Sequence, residues 1–163
     1  MNRYARIFLL SLTIAAPGAA FTYASDAAAE DLQPQPAAVD KIKQFLEICI
    51  NNADINEAGK KVVAAGLAHI SKIDKNNSGQ LNGDSLRFSF KKAHDNAKFY
   101  QLKITRVVET GTSAVGFGPT AQKGKLHKYF VAKKDGVNGM PAPIQVFFPE
   151  GGGAPVLYDW GSF

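Results

Sequence analysis

Cysteine is nearly absent from this chain of 163 residues, which contains only Cys49. A single thiol cannot form an intramolecular disulfide, so an apolar core must hold the domain together. Cys49 falls within an apolar stripe of helical spacing. We therefore expect it to be buried and inert.

Motifs of the common hydrolases and metalloenzymes are also missing. The three histidines have no ligand-like spacing, and neither Gly-x-Ser-x-Gly nor His-Glu-x-x-His occurs. Residues 89–92, Ser-Phe-Lys-Lys, fit the Ser-x-x-Lys pattern of penicillin-interacting serine enzymes, but that chemistry needs a helical turn, and we predict a strand here. We expect a protein without catalytic residues or a cofactor. A small periplasmic hydrolase whose site is assembled only in the fold is the alternative.

No apolar run reaches the roughly 20 residues that a membrane-spanning helix needs. Residues 7–16 form an uncharged run that follows Arg3 and Arg6 and ends at Pro17. A basic start, a short apolar stretch and small residues after it are typical of a cleavable signal peptide. We predict a signal peptide over residues 1–24 and a mature protein that is periplasmic or secreted.

The remaining chain has the size of one domain. Residues 25–36 are rich in alanine, proline and acidic residues and poor in large apolar ones, so we predict a disordered tether. Residues 37–163 suit a single compact domain, because such domains commonly run to about 100–150 residues. We expect a soluble monomer without a transmembrane segment once the signal is removed.

Two N-terminal helices are predicted from apolar residues spaced three and four apart. In residues 40–51 this spacing places the apolar side chains, Cys49 among them, on one side of a helix. Asp54 can cap a second helix over residues 55–65, and Gly66 can end it.

Beyond Gly66 the apolar period changes to two, which is typical of strands. Residues 86–90 and 100–104 alternate in this way, and we predict that they form a hairpin around a turn at Asp95 and Asn96. Further strands are predicted over residues 114–118, 126–132, 144–148 and 155–160. The predicted fold is α+β, with two N-terminal helices packed on one face of an antiparallel β-meander of about five or six strands.

Residues 74–85 carry oxygen-bearing side chains at the spacing of a calcium loop. The weak candidate ligands are Asp74, Asn76, Ser78, Gln80 and Asn82. The segment resembles the calcium loop of the EF-hand family, which would imply a calcium-binding module. The family places a bidentate carboxylate at the twelfth position, where this chain has Ser85, so we expect poor affinity. An ordinary turn-rich loop is the alternative interpretation.

Acidic residues are scarce in the middle of the chain. Between Leu86 and Lys134 there are eleven Lys or Arg residues and two acidic ones, whereas both flanking segments are net acidic. On the predicted hairpin, Arg87, Lys91 and Lys103 would face solvent on a basic sheet face.

A concentrated positive face attracts anionic partners. Lysines that merely keep a sheet edge solvated and unpaired are the alternative interpretation. We predict a non-enzymatic binding module whose partner is an anionic envelope component or an acidic protein. Export would remove the protein from most nucleic acid, which disfavours nucleic acid as a partner.

Overall fold

The computed structural model of the protein describes residues 31–76, 79–115 and 118–163. In these ranges three helices and an antiparallel four-stranded sheet form the fold, so the α+β class is confirmed. The predicted signal peptide lies outside the described residues, as do residues 25–30 of the predicted tether. No helix in the described ranges is long and apolar enough to cross a membrane.

Helices α1 (Pro36–Asn51) and α2 (Ile55–Ala64) begin the fold. Proline suits the first turn of α1, because the backbone N–H that it lacks would have no partner there. The Asp54 carboxylate caps α2 by accepting two backbone N–H groups of its first turn. Gly66 follows with φ of 61°, a left-handed conformation that favours glycine. Both predicted helices are confirmed, although α1 starts earlier than its apolar stripe.

A third helical segment covers residues 83–99, in the region where we predicted the first strand of a hairpin. It contains a π-helical turn (Ser85–Phe90), helix α3 (Lys91–Asn96) and a 3-10 turn (Ala97–Phe99). The helices are therefore not all N-terminal. The predicted strand over residues 86–90 was wrong, and its predicted turn at Asp95 and Asn96 lies inside α3.

The apolar residues of this segment also fit a helix. Leu86, Phe90, Ala93 and Ala97 are spaced four, three and four apart, and the last three are fully buried. The alternation over residues 86–90 covers only five residues, too few to distinguish the two periods. Packing of Phe90 and the two alanines against the core decides in favour of the helix.

The sheet is an antiparallel meander in the order β1-β2-β3-β4. Its strands are β1 (Tyr100–Val115), β2 (Gln122–Lys133), β3 (Ala142–Pro149) and β4 (Val156–Asp159). The described residues form four strands instead of the predicted five or six, because residues 86–90 are helical and residues 114–115 belong to the end of β1.

The sheet is strongly curved. Ser113 Oγ on β1 donates a hydrogen bond of 3.2 Å to the hydroxyl of Tyr158 on β4, although β2 and β3 lie between these strands in the sheet. Three register irregularities in the β1–β2 pairing accompany the curvature. Gly124, opposite Pro149 in the β2–β3 pair, leaves room for the ring of Phe147.

The core lies between the helices and one face of the sheet. Phe45 of α1 packs against Phe90 and Trp160, with ring centroids 5.9 and 5.2 Å away. Tyr129 and Ile144, which face each other on β2 and β3, are fully buried in the same cluster. This single cluster holds α1, α2, the third helical segment and the sheet together.

Residues 31–35, part of the predicted tether, run beside β1 in the structure. The backbone N–H of Leu32 donates a hydrogen bond of 2.8 Å to the carbonyl of Val107. Asp31 forms an ion pair of 2.6 Å with Arg106 on the same strand. The chain therefore enters α1 from the outer edge of the sheet.

Candidate functional site

Arg87, Lys91 and Lys103, predicted to form a basic sheet face, do not share a strand. Arg87 and Lys91 lie four residues apart on the third helical segment, whereas Lys103 lies on β1. All three are exposed. The predicted arrangement of these residues on one sheet face was wrong, because the segment that would form its first strand is helical. Arg87 and Lys91 nevertheless lie together on another surface.

That surface is the exposed side of the third helical segment. Its exposed positions recur at spacings that place them on one side of a helix, opposite the buried ones. From residue 87 onward they are Arg87, Phe88, Lys91, Lys92, Asp95, Lys98 and Phe99, and we call this set the basic helix face. The carboxylate of Asp84, one turn before Arg87, is exposed as well. Four cations, two phenylalanines and one carboxylate therefore share one side of the segment.

Ion pairing within the basic helix face is confined, in the described part of the chain, to Lys91 and Asp95. Lys91 Nζ lies 2.5 Å from a carboxylate oxygen of Asp95. This contact lowers the pKa of Asp95, so the carboxylate stays ionised at neutral pH. Arg87, Lys92 and Lys98 leave the face with an excess of positive charge.

Both phenylalanines of the face are well exposed. Phe88 is 69% exposed and Phe99 is 41% exposed. The ammonium of Lys98 lies 5.2 Å from the centre of the Phe99 ring, within cation–π range. An open groove of about 300 Å³ lies on this face, lined in part by Arg87, Phe88, Lys91 and Lys92. Apolar surface surrounded by polar residues is typical of an interaction site.

Buried contacts hold the basic helix face in position from behind. Phe90, on the opposite side of the segment, is fully buried against Phe45 and Trp160. His94 Nε2 donates a hydrogen bond of 2.7 Å to the carbonyl of Asn52, just beyond the end of α1. The exposed side chains therefore project from a packed scaffold.

One further cation lies at the Phe99 end of the face. The backbone N–H of Lys134 donates a hydrogen bond of 2.9 Å to the carbonyl of Phe99, and the Lys134 side chain is exposed. The position of Lys134 beside the helical segment depends on the fold and is not indicated by the sequence pattern.

The calcium-loop candidates Asp74, Asn76 and Gln80 take part in the loop's own hydrogen bonds. The Asp74 carboxylate accepts the backbone N–H of Asn76 at 2.9 Å. The backbone carbonyl of Gln80, the proposed seventh-position ligand, accepts the backbone N–H of Asp74 at 3.0 Å. Ser78 lies outside the described residues. Within the described ranges no three His, Cys, Asp or Glu side chains form a group that could hold a metal ion.

Asn82, the remaining calcium candidate, caps the third helical segment. Its side-chain oxygen accepts the backbone N–H of Ser85, and its amide donates to the carbonyl of Ser71, both at 2.8 Å. A helix after the loop matches the EF-hand pattern, so our expectation of a following strand was wrong. Ser85, at the bidentate position, has no carboxylate and is buried. The segment functions structurally as a helix cap.

Ser89 and Lys92 do lie on a helical turn, so the reason for rejecting the Ser-x-x-Lys pattern was wrong. Ser89 Oγ donates a hydrogen bond of 3.3 Å to the carbonyl of Ser85. Lys92 points outward as part of the basic helix face, and within the described residues no hydrogen bond joins it to Ser89. The pair therefore lacks the contact by which a lysine would activate a serine.

Cys49, His94 and Asp95 line a small open pocket of about 210 Å³ beside the end of α1. Cys49 is buried, as predicted, and burial raises the pKa of its thiol to about 12. A thiolate is the form of cysteine that acts as a nucleophile. Because His94 Nε2 also donates to a backbone carbonyl, this group is not arranged for nucleophilic catalysis.

We expect Cys49 to react with a thiol reagent only after unfolding, because its side chain is both buried and protonated. A matched control is Ile50→Cys in a Cys49→Ala background, since Ile50 is the next residue of α1 and is 46% exposed. That variant should be labelled immediately in the native state. Labelling of the native wild-type protein at the same rate would contradict the burial of Cys49.

Sequence reasoning missed a polar group on the sheet, because its members meet only through strand register. Glu109 and His127 face each other across β1 and β2, with 3.6 Å between Oε2 and Nε2. Lys125 lies 3.2 Å from the same carboxylate. Burial lowers the pKa of His127, and Glu109 opposes this shift only partly. In the described part of the chain no hydroxyl or thiol is hydrogen-bonded to His127, so the group lacks a nucleophile.

Comparison with known proteins finds no relative. Neither a protein-family model, a curated protein nor a solved structure matches the chain. The basis for a functional proposal is therefore the surface of the protein itself.

Proposed function

We propose that the protein is an exported, non-enzymatic binding module that docks on an anionic partner through the basic helix face. The observation that carries the proposal is the composition of that face: four cations and two exposed phenylalanines, with one carboxylate already paired to Lys91. Export is inferred from the signal-peptide pattern in residues 1–24. The partner contacts a helix side rather than a sheet face.

The charge distribution supports this orientation of binding. The segment before Leu86 is net acidic, although α1 and α2 themselves have no acidic excess, and the excess of cations lies on the third helical segment and the sheet. A molecule with such separated charges turns its basic side toward an anionic surface as it approaches. At physiological salt, interactions between exposed charges are screened over about 8 Å. Binding through such charges therefore weakens as ionic strength rises.

Catalysis has weaker support from the described residues. The thiol of Cys49 is buried and protonated, Ser89 has no activating lysine contact, and the ion-pair contact of His127 is with Glu109. Covalent catalysis needs a nucleophile within hydrogen-bond reach of a base. None of these three groups meets that requirement, which favours a binding role.

Charge reversal on the face tests the proposal. In the triple variant Arg87→Glu, Lys91→Glu and Lys92→Glu, we expect retention on heparin beads at about 50 mM salt to fall at least tenfold, because three attractive charges become repulsive. The fold should persist, since exposed ion pairs contribute about 1 kcal/mol or less. Bead binding and thermal melting would be measured on the same preparations.

The matched control reverses three exposed lysines elsewhere, Lys60→Glu, Lys75→Glu and Lys123→Glu. It changes the net charge by the same amount, so it separates the position of the charges from their sum. We expect it to keep most of the wild-type retention. If the two triple variants lose binding equally, the basic helix face is not the docking surface.

A further inference from the structure

We infer that the anionic partner is a lipid surface, on which the basic helix face lies flat with Phe88 inserted between the headgroups. This inference rests on the proposed function and names the partner. It starts from Phe88, whose ring is 69% exposed. Binding of an anionic ligand by charge alone would not involve contact with this ring.

The chemistry of the face matches a membrane interface. Helices that lie at such an interface bury aromatic or aliphatic side chains about 5–10 Å into the headgroup boundary, while lysines and arginines remain at the anionic headgroups. On this face, Arg87 precedes Phe88 directly, and Lys91 and Lys92 follow it one turn later. These cations flank the ring at the depth where phosphate groups would lie, and the carboxylate of Asp84 lies one turn before Phe88.

The shape of the face favours a planar partner over a peptide or a small ligand. From Arg87 to Phe99 the exposed positions extend for about 18 Å along one side of the segment, at about 1.5 Å per residue. Protein partners that bind peptides offer a groove or a free strand edge, whereas this face is the outer side of a helix, and the groove of about 300 Å³ beside Phe88 is open. A flat anionic surface can contact all of its residues at once.

The charge of the face fits anionic lipid and not neutral lipid. Three of its cations, Arg87, Lys92 and Lys98, have no ion-pair partner among the described residues, and Lys134 adds another exposed cation at the Phe99 end. A cation near an anionic leaflet contributes about 1 kcal/mol, or about fivefold in affinity. Attachment through exposed charges and one inserted ring would be peripheral and reversible.

The test uses the protein purified in its exported form and vesicles of phosphatidylcholine with about 30% phosphatidylglycerol. We expect co-sedimentation with these vesicles at about 50 mM salt but not with pure phosphatidylcholine. The Arg87, Lys91 and Lys92 reversal should weaken binding at least a hundredfold. Phe88→Ala should weaken it about tenfold, because the inserted apolar surface is lost.

A matched control for the ring is Ile70→Ala, which removes an apolar side chain that is 60% exposed on a different segment. It should leave vesicle binding unchanged. Insertion can be observed directly with Phe88→Trp, because the only native tryptophan, Trp160, is fully buried. Brominated lipids should quench the new tryptophan, and Met140→Trp, at a residue that is 85% exposed, should not be quenched.

The outcomes separate the lipid inference from the proposed function. Retention on heparin beads without vesicle binding would overturn the lipid inference and leave the anionic-partner proposal standing, with an acidic protein as the next partner to test. Vesicle binding that survives Phe88→Ala and leaves Phe88→Trp unquenched would also overturn it, since only charge would then be involved. Failure to bind either probe would overturn both.

Discussion

Alanine at Gly124 is expected to lower the free energy of unfolding by about 2–3 kcal/mol, the upper range for added volume in a packed site. A Cβ at this position would overlap the backbone carbonyl of Phe148 and lie 2.5 Å from the ring of Phe147. The carbonyl belongs to the β2–β3 ladder and cannot turn away as a flexible side chain could. Denaturant unfolding of both proteins measures the difference.

Gly151→Ala is the matched control for Gly124→Ala. Gly151 lies in the turn between β3 and β4, its φ is not in the left-handed region, and nothing lies within 4 Å of an added Cβ. The control should therefore unfold like the wild type. If Gly124→Ala also unfolds like the wild type, the close approach of the Phe147 ring to β2 is not a feature of the folded protein.

The Gly124 position also bears on the curvature of the sheet. Ser113, which pairs with Gly124 across β1 and β2, reaches the hydroxyl of Tyr158 on β4. The sheet therefore curves at Gly124, where β2 has no side chain and the Phe147 ring fills the space. In Gly124→Ala the added Cβ would displace the Phe147 ring. This displacement should weaken the contact between the β1–β2 hairpin and β4 before it affects the helices.

The parts of the fold that were predicted correctly have long and regular apolar patterns. Helix α1 has apolar residues on one side over several turns, and β2 and β3 contain apolar runs at residues 129–132 and 146–148 next to positions where buried residues alternate. Asp54 and Gly66 added local signals for the two ends of α2. In each case the local pattern and the tertiary packing favour the same structure.

The third helical segment was mispredicted because its buried side is weakly apolar. Ala93 and Ala97 fill the buried side after Phe90, and alanine contributes little to a hydrophobic pattern. Phe88, a large apolar residue, lies on the exposed side and suggested a strand. The residue that misled the secondary-structure prediction is thus the one on which the lipid inference rests.

The basic residues of the candidate site were therefore predicted only in part. Arg87 and Lys91 were identified from the charge excess and the predicted strand alternation, whereas Lys92 and Lys98 join them through helical spacing. Lys103 was grouped with them only because a hairpin was expected. Charge excess can be counted in a sequence, but the surface that shares it depends on the secondary structure of the segment.

Acidification from pH 7 to pH 4 is expected to remove about 3 kcal/mol of stability through His69 alone. This residue is 1% exposed, and burial, with a smaller contribution from Lys72, lowers its pKa from 6.5 to about 4. Above pH 6.5 His69 is neutral in both the folded and the unfolded chain, and stability is unaffected. Between pH 6.5 and 4 only the unfolded chain binds the proton, so stability falls by about 1.4 kcal/mol per pH unit.

The surroundings of His69 explain why its neutral form is retained. Nδ1 accepts the backbone N–H of Ser71 at 3.2 Å, which leaves the proton of the neutral ring on Nε2. Nε2 is buried without a hydrogen-bond partner, beside the rings of Phe147 and Tyr158. A second proton would place a charge in this apolar site, with Lys72 nearby and no compensating carboxylate in contact within the described residues.

His69→Asn isolates this contribution, since the amide oxygen can still accept the Ser71 N–H and carries no charge at any pH. We expect the variant to be less stable than the wild type at pH 7, because asparagine fills less of the site. The difference between the two proteins should shrink by about 3 kcal/mol by pH 4, and groups common to both, His127 included, cancel in that difference. Urea unfolding at half-unit steps of pH measures it. A difference that stays constant from pH 7 to pH 4 would mean that His69 titrates normally and is not held in the buried, neutral state described here.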